Sequence, residues 1–132
     1  MSQNQHEYVN SSDFPAPLGP YSAAVALGGL VIVSGQGAED PATGKLAGDD
    51  IDTQTEQVFK NLEAILKAAG SDIQHILRCG VFLIDMGEFK KMNAIYERVM
   101  DGHRPARTTV QVAGLPMEGL RVEIDAIAYK KE

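Results

Sequence analysis

Arg107 is the residue in this chain best suited to holding a small anion, and it stands in the run Arg104-Pro105-Ala106-Arg107-Thr108-Thr109. Its guanidinium is planar and permanently charged, and its fork of donors matches a carboxylate with two parallel hydrogen bonds. A single arginine is by default half of a surface ion pair, so the argument turns on its neighbours. Pro105 fixes the backbone just before it, and Thr108-Thr109-Val110-Gln111-Val112 reads as a strand, which places Arg107 where a loop enters a sheet. Downstream, Leu120, Val122, Ile124, Ala126 and Ala128 alternate with Arg121, Glu123, Asp125, Ile127 and Tyr129, the pattern of a second strand with two acids on one face. A hairpin of these two strands, with Val112 opposite Leu120, places Thr109 opposite Glu123 and makes Arg107 a diagonal neighbour on the same face. On that register an arginine and a carboxylate share one pocket.

The elements that must position these groups follow in order along the chain. Glu7-Tyr8-Val9 is a short candidate strand beside the turn-like cluster Asn10-Ser11-Ser12-Asp13, and Pro15, Pro17, Gly19 and Pro20 mark an irregular loop that delivers Tyr21. Ser22 to Leu27 and Leu30 to Ser34 form a hairpin about Gly28-Gly29, and the second strand ends in Ser34-Gly35-Gln36-Gly37. A surface turn over residues 40–45 precedes a helix with Ile51, Thr55, Val58, Phe59, Leu62, Ile65, Leu66 and Ala69 on one face, Thr53 and Glu56 as a capping box, and Gly70 as its stop. That stripe reads as core, with no chemistry in it. Ile76 to Ile84 is a nearly continuous apolar run, the mark of a strand covered on both faces. Asp85 and Glu88 open a second helix that runs through Met100, with Phe89, Met92, Tyr96 and Val99 inward and Asn93 near that stripe. Strands and helices in the order ββ, α, β, α, ββ imply an α+β domain, residues 1–132, with both helices on one face of a mixed sheet. The other face then needs cover from self-association.

Six pieces of this chain, kept in one order over nearly its whole length, carry a family resemblance: Gly19-Pro20-Tyr21-Ser22, Val33-Ser34-Gly35-Gln36, residues 81–86, Asn93-Ala94-Ile95-Tyr96, Arg104-Pro105-Ala106-Arg107-Thr108, and Leu115-Pro116 followed by residues 122–126. Together they resemble the Rid (reactive intermediate deaminase) family, also called YjgF-type or liver perchloric-acid-soluble proteins. The resemblance implies a chorismate-mutase-like homotrimer with sheets facing inward and a pocket at each subunit interface. It implies hydrolysis of 2-imino or 2-enamino acids such as 2-aminoacrylate or 2-iminopropanoate to 2-oxo acids and ammonia, a 2-iminobutanoate/2-iminopropanoate deaminase activity. Arg107 would clamp the substrate carboxylate. Glu123, directly or through Ser34, would position or deprotonate water. Tyr21, Ser34, the backbone of Gly35, Asn93 and Thr109 match pocket positions, Thr109 standing where many relatives have cysteine. From the residues alone, Tyr21 reads equally as an interface aromatic, the Ser34-Gly35 segment as a plain strand end, and Asn93 as a buried amide bonded to backbone.

Composition narrows the alternatives. Hydrophobic residues at 44% and charged residues at 23% belong to a folded domain. The single cysteine, Cys79, lies in an apolar run and reads as a small core residue, and His6, His75 and His103 have no ligand-type spacing, so neither a metal nor a cofactor is expected. Apolar runs are too short to span a bilayer and the first residues lack the pattern of a signal peptide, so a cytoplasmic protein without a membrane partner is expected. A net charge of -6 opposes general affinity for nucleic acid and so the reading as a ribonuclease or translation inhibitor. A small-acid-binding or chaperone-like trimer without turnover is the other competing reading.

Overall fold

The computed structural model describes residues 5–132. Six strands and two helices follow the expected order: β1 (Glu7–Val9), β2 (Ala24–Leu27), β3 (Leu30–Gln36), α1 (Ile51–Ala68), β4 (Ile76–Leu83), α2 (Phe89–Met100), β5 (Ala106–Gln111) and β6 (Val122–Tyr129). They form one mixed sheet in the order β1-β2-β3-β6-β4-β5. Antiparallel pairing joins every neighbour except β4 and β5, which run parallel. The chain belongs to the α+β class, with two helices on one side of the sheet.

The apolar halves of the alternating strands meet those helices. Val31 and Val33 of β3, Ile124, Ala126 and Ala128 of β6 and Cys79, Val81 and Leu83 of β4 are buried with Val58, Leu62, Ile65 and Leu66 of α1 and Met92, Tyr96 and Met100 of α2. Their removal from water is the main favourable term holding the layers together. Gly28 turns the β2–β3 hairpin at φ +59, and Gly70, at φ +82, follows the α1 C-cap, as the sequence suggests.

Three local expectations need correction. The N-cap of α1 is Asp50, whose carboxylate accepts from the Thr53 backbone N–H at 3.0 Å, so Thr53 lies inside the first turn and Glu56 pairs with Arg98 on α2. The β4 strand is covered on one face only: Leu77 and Arg78 are exposed and Phe82 is half-buried. The third correction concerns the site. β5 does not form a hairpin with β6. It lies at the sheet edge, parallel to β4, with Arg107 beside Cys79 and Thr109 beside Val81, while Glu123 of β6 lies opposite Phe82. Two strand–helix–strand crossovers, β3–α1–β4 and β4–α2–β5, set this order, and β6 enters between β3 and β4.

Candidate functional site

Arg107 and Glu123 occupy different faces of the sheet. Arg107 shares a register line with Cys79 and, one strand further, Ala126, both buried under the helices. Glu123 is on the alternate face of β6 with Asp125, Ile127 and Tyr129. Two strand spacings of about 4.8 Å and three residues of about 3.3 Å separate their Cα atoms by about 14 Å, so within one protomer they do not share a pocket. The single-pocket expectation fails because the register was drawn on a hairpin the fold does not make.

Each group instead anchors its own half-site. Arg107 lies on an aromatic shelf provided by α2: its guanidinium carbon is 4.6 Å from the centroid of the Tyr96 ring and 5.5 Å from that of Phe89. Asn93, Arg104 and Pro105 line the same open cleft, so the expected neighbour Asn93 is there, half-buried. Among the described residues no carboxylate pairs with Arg107, whereas Arg104 is held by Glu97 at 3.3 Å. The guanidinium therefore keeps its hydrogen-bonding edge available for an incoming anion, while the π faces support its charge. Thr109 follows on the same side of β5 and is half-buried.

Glu123 anchors the second half-site, a recess of about 40 Å³ that Tyr21, Gly35, Gln36, Gly37 and Glu39 help to line. Its carboxylate occupies the space where Gly35 has no side chain: a methyl on Gly35 would fall 2.0 Å from Glu123 Oε1. A bulge makes this possible, because the β3–β6 register shifts between Val33 and Gln36 and turns the Ser34-Gly35 backbone toward β6. Asp125 uses Gly80 of β4 in the same way and accepts its backbone N–H at 2.8 Å. Burial, then the nearby charges of Glu39 and Asp125, push the Glu123 carboxyl above the ordinary carboxylate range. A carboxylate so tuned takes a proton more readily than a solvated one.

The remaining expected residues divide. Tyr21 is half exposed at the mouth of the recess, and its hydroxyl accepts the Leu18 backbone N–H at 3.1 Å, closing the proline-rich loop on itself. Gly35 lines the recess directly. Ser34 does not line it; its hydroxyl donates to the Ser22 carbonyl at 2.7 Å, tying β3 to the Tyr21 loop. A proton relay through Ser34 would have to break that bond first.

Two residues that the sequence reading passed over hold the second half-site in place. Gln54 and Asn61 are buried on α1 and fully engaged. Gln54 donates to the carbonyls of Gly48 and Gly119 at 3.0 and 2.9 Å and accepts from the Arg121 N–H at 2.7 Å. Asn61 donates to the carbonyls of Gly37 and Glu39 at 3.1 and 2.9 Å. The signal was present: two amides seven residues apart, inside an apolar stripe, where a polar side chain must find partners.

The remaining observations are comparative. The Endoribonuclease L-PSP family model matches residues 11–130. A mouse protein named 2-iminobutanoate/2-iminopropanoate deaminase is 41% identical over 130 residues, covering 98% of this chain and 96% of that one. Reactive Intermediate Deaminase A, chloroplastic, of Arabidopsis thaliana is 41% identical over 96% of this chain and 67% of its own length. The structure of E. coli TdcF with bound serine superposes with a TM-score of 0.88 at 34% identity, covering 95% of this chain and 99% of that one.

Proposed function

The chain belongs to the Endoribonuclease L-PSP family, the Rid family of the sequence resemblance, and from that membership we propose that it hydrolyses small 2-imino or 2-enamino acids to 2-oxo acids and ammonia in a homotrimer. The observation that carries the proposal is Arg107, an arginine held on aromatic faces with no carboxylate partner among the described residues. A small planar acid is the ligand that such a fork accepts with two parallel bonds. The relatives named as imine deaminases, and the relative solved with bound serine, support ligands of the same size and charge.

The separation of Arg107 from Glu123 fits assembly of the active pocket between subunits. The sheet face that carries Glu123 also exposes Tyr8, Leu30, Ile32 and Tyr129, large apolar side chains gathered on one side of the sheet, which suits that face to association. Packing of those faces against each other in a cyclic trimer brings the edge strand β5 of one subunit toward the Glu123 recess of the next. Arg107 then fixes the substrate carboxylate, and Glu123 accepts a proton from water as oxygen bonds to the imine carbon. The same carboxyl returns that proton to nitrogen, then takes the hydroxyl proton of the resulting amino alcohol and passes it to the same nitrogen, so that the C–N bond breaks, the C=O bond forms and ammonia leaves. Threonine or serine dehydratase generating imine in place, with semicarbazide as the competing trap, supplies the test. The wild type should speed release of 2-oxo acid. Arg107→Ala should lose about 2 to 5 kcal/mol of transition-state stabilisation while keeping the fold. Equal turnover by the two proteins would remove Arg107 from the mechanism. RNA cleavage that survived the substitution would belong to a separate site.

A further inference from the structure

Tyr96 is buried against the core, yet its hydroxyl is the one buried side-chain polar atom without a hydrogen-bond partner among the described residues. An orphaned hydroxyl in a packed layer is destabilising unless it serves something outside the core. The ring meets Phe59 of α1 edge to face with centroids 5.5 Å apart, and the Arg107 guanidinium carbon lies over it, 4.6 Å from its centroid. The Cys79 thiol and the Arg107 guanidinium are the groups that its hydroxyl senses. Burial pushes the pKa of both the Tyr96 hydroxyl and the Cys79 thiol upward, so both groups keep their protons.

We propose that Tyr96 is the positioning residue of the carboxylate clamp: its ring, lying under the Arg107 guanidinium, holds that group against α2 and leaves its donors for substrate. The inference rests on the clamp reading of Arg107. Three features converge on it. A guanidinium held over an aromatic face gives up none of its N–H donors to that contact, so an anion can reach them. An ion-pair partner in the same place would compete with the substrate, and Arg107 has none among the described residues. Phe59 fixes the ring, so the shelf belongs to the rigid core rather than to a loop.

The test separates positioning from turnover. In wild type the Arg107 Nε–H resonance should be shielded by the Tyr96 ring and show an ordered side chain. Tyr96→Phe should keep that signature and raise KM by about twofold, and Tyr96→Leu should lose it and raise KM by about tenfold with little change in kcat. In the Arg107→Ala background Tyr96→Leu should leave KM where the single arginine variant puts it. An Arg107 signal equally ordered and shielded in Tyr96→Leu overturns the proposal, as does a KM rise of the same size with and without Arg107. Should Tyr96→Leu fail to fold, Tyr96→Met fills the same volume without a π face and gives the same reading. Because the resonance is read without substrate, failure of the deaminase reading would show as absent turnover in wild type with the Arg107 signature intact.

Discussion

At Gly35 one missing methyl group decides where a carboxylate lies. Glu123 rests over that glycine with an oxygen where a Cβ would be, so Gly35→Ala must push the carboxyl out of its recess or deform the bulge. We expect a loss of about 1 to 3 kcal/mol in stability and a fall in kcat larger than any change in substrate affinity, measured by denaturant unfolding and steady-state kinetics on the same preparation. Glu39 acts on the same carboxyl through charge rather than shape. Its negative field helps hold the Glu123 pKa up, so Glu39→Gln should move the acid limb of the kcat/KM profile to lower pH, because Glu123 then keeps its base form further down. A limb that stays in place would leave burial and Asp125 as the causes. The sign for stability is the reverse of the usual carboxylate. A raised pKa means that the fold favours protonated Glu123, so its contribution is complete below the ordinary carboxylate range and is lost as pH rises through the raised value.

On α1, a helix whose stripe reads as plain core turns out to fasten the loops that border the Glu123 recess. Asn61→Ala removes both donors from the Gly37 and Glu39 carbonyls and should cost about 1 to 3 kcal/mol, since two buried acceptors lose their partners. It should also weaken activity, because the segment it releases carries Glu39 and borders Gly35. If stability fell without any change in activity, the loop would hold its shape by other means. The strands and helices themselves were legible because their signals are local: the alternation in β6, the glycine pair of the β2–β3 turn, and the helical stripe from Ile51 to Ala69. Pairing was less so. Val112 and Leu120 are close enough in sequence for a hairpin, but β4–α2–β5 is a strand–helix–strand unit, and that connection favours parallel neighbours. A hairpin of β5 and β6 would put Arg107 on the Glu123 face, whereas the crossover puts it on the helix face. The residue types of the site survive that difference because chemistry is carried by identity, whereas their meeting is a property of topology.

For the whole molecule, the decisive question is which chains supply the two halves of a pocket. Arg107 and Glu123 lie on opposite faces and about 14 Å apart along the sheet of one protomer, so a pocket that needs both must draw them from two subunits. Arg107→Ala and Glu123→Gln chains should each keep only a small residual of wild-type activity alone. Unfolded together in equal amounts and refolded, they should mix at random. An interface is intact when the arginine side comes from a Glu123→Gln chain and the glutamate side from an Arg107→Ala chain, which happens at about a quarter of interfaces in a cyclic assembly. Recovery of roughly that fraction of wild-type activity, with mass measurement showing mixed trimers, is the expected result. Mixed trimers that stay inactive would mean that both groups act from one chain, and β5 would then have to leave the edge of β4 and cross the sheet to reach Glu123. That movement would break the six-residue parallel ladder from Ala106 to Gln111, a change amide hydrogen exchange along β5 would detect. In the proposed trimer the exposed apolar face makes the same demand from the other side, because Tyr8, Leu30, Ile32 and Tyr129 lie on the sheet face that also carries Glu123. On that proposal association and catalysis depend on one interface, and dilution below the assembly threshold should abolish turnover before it unfolds the subunit.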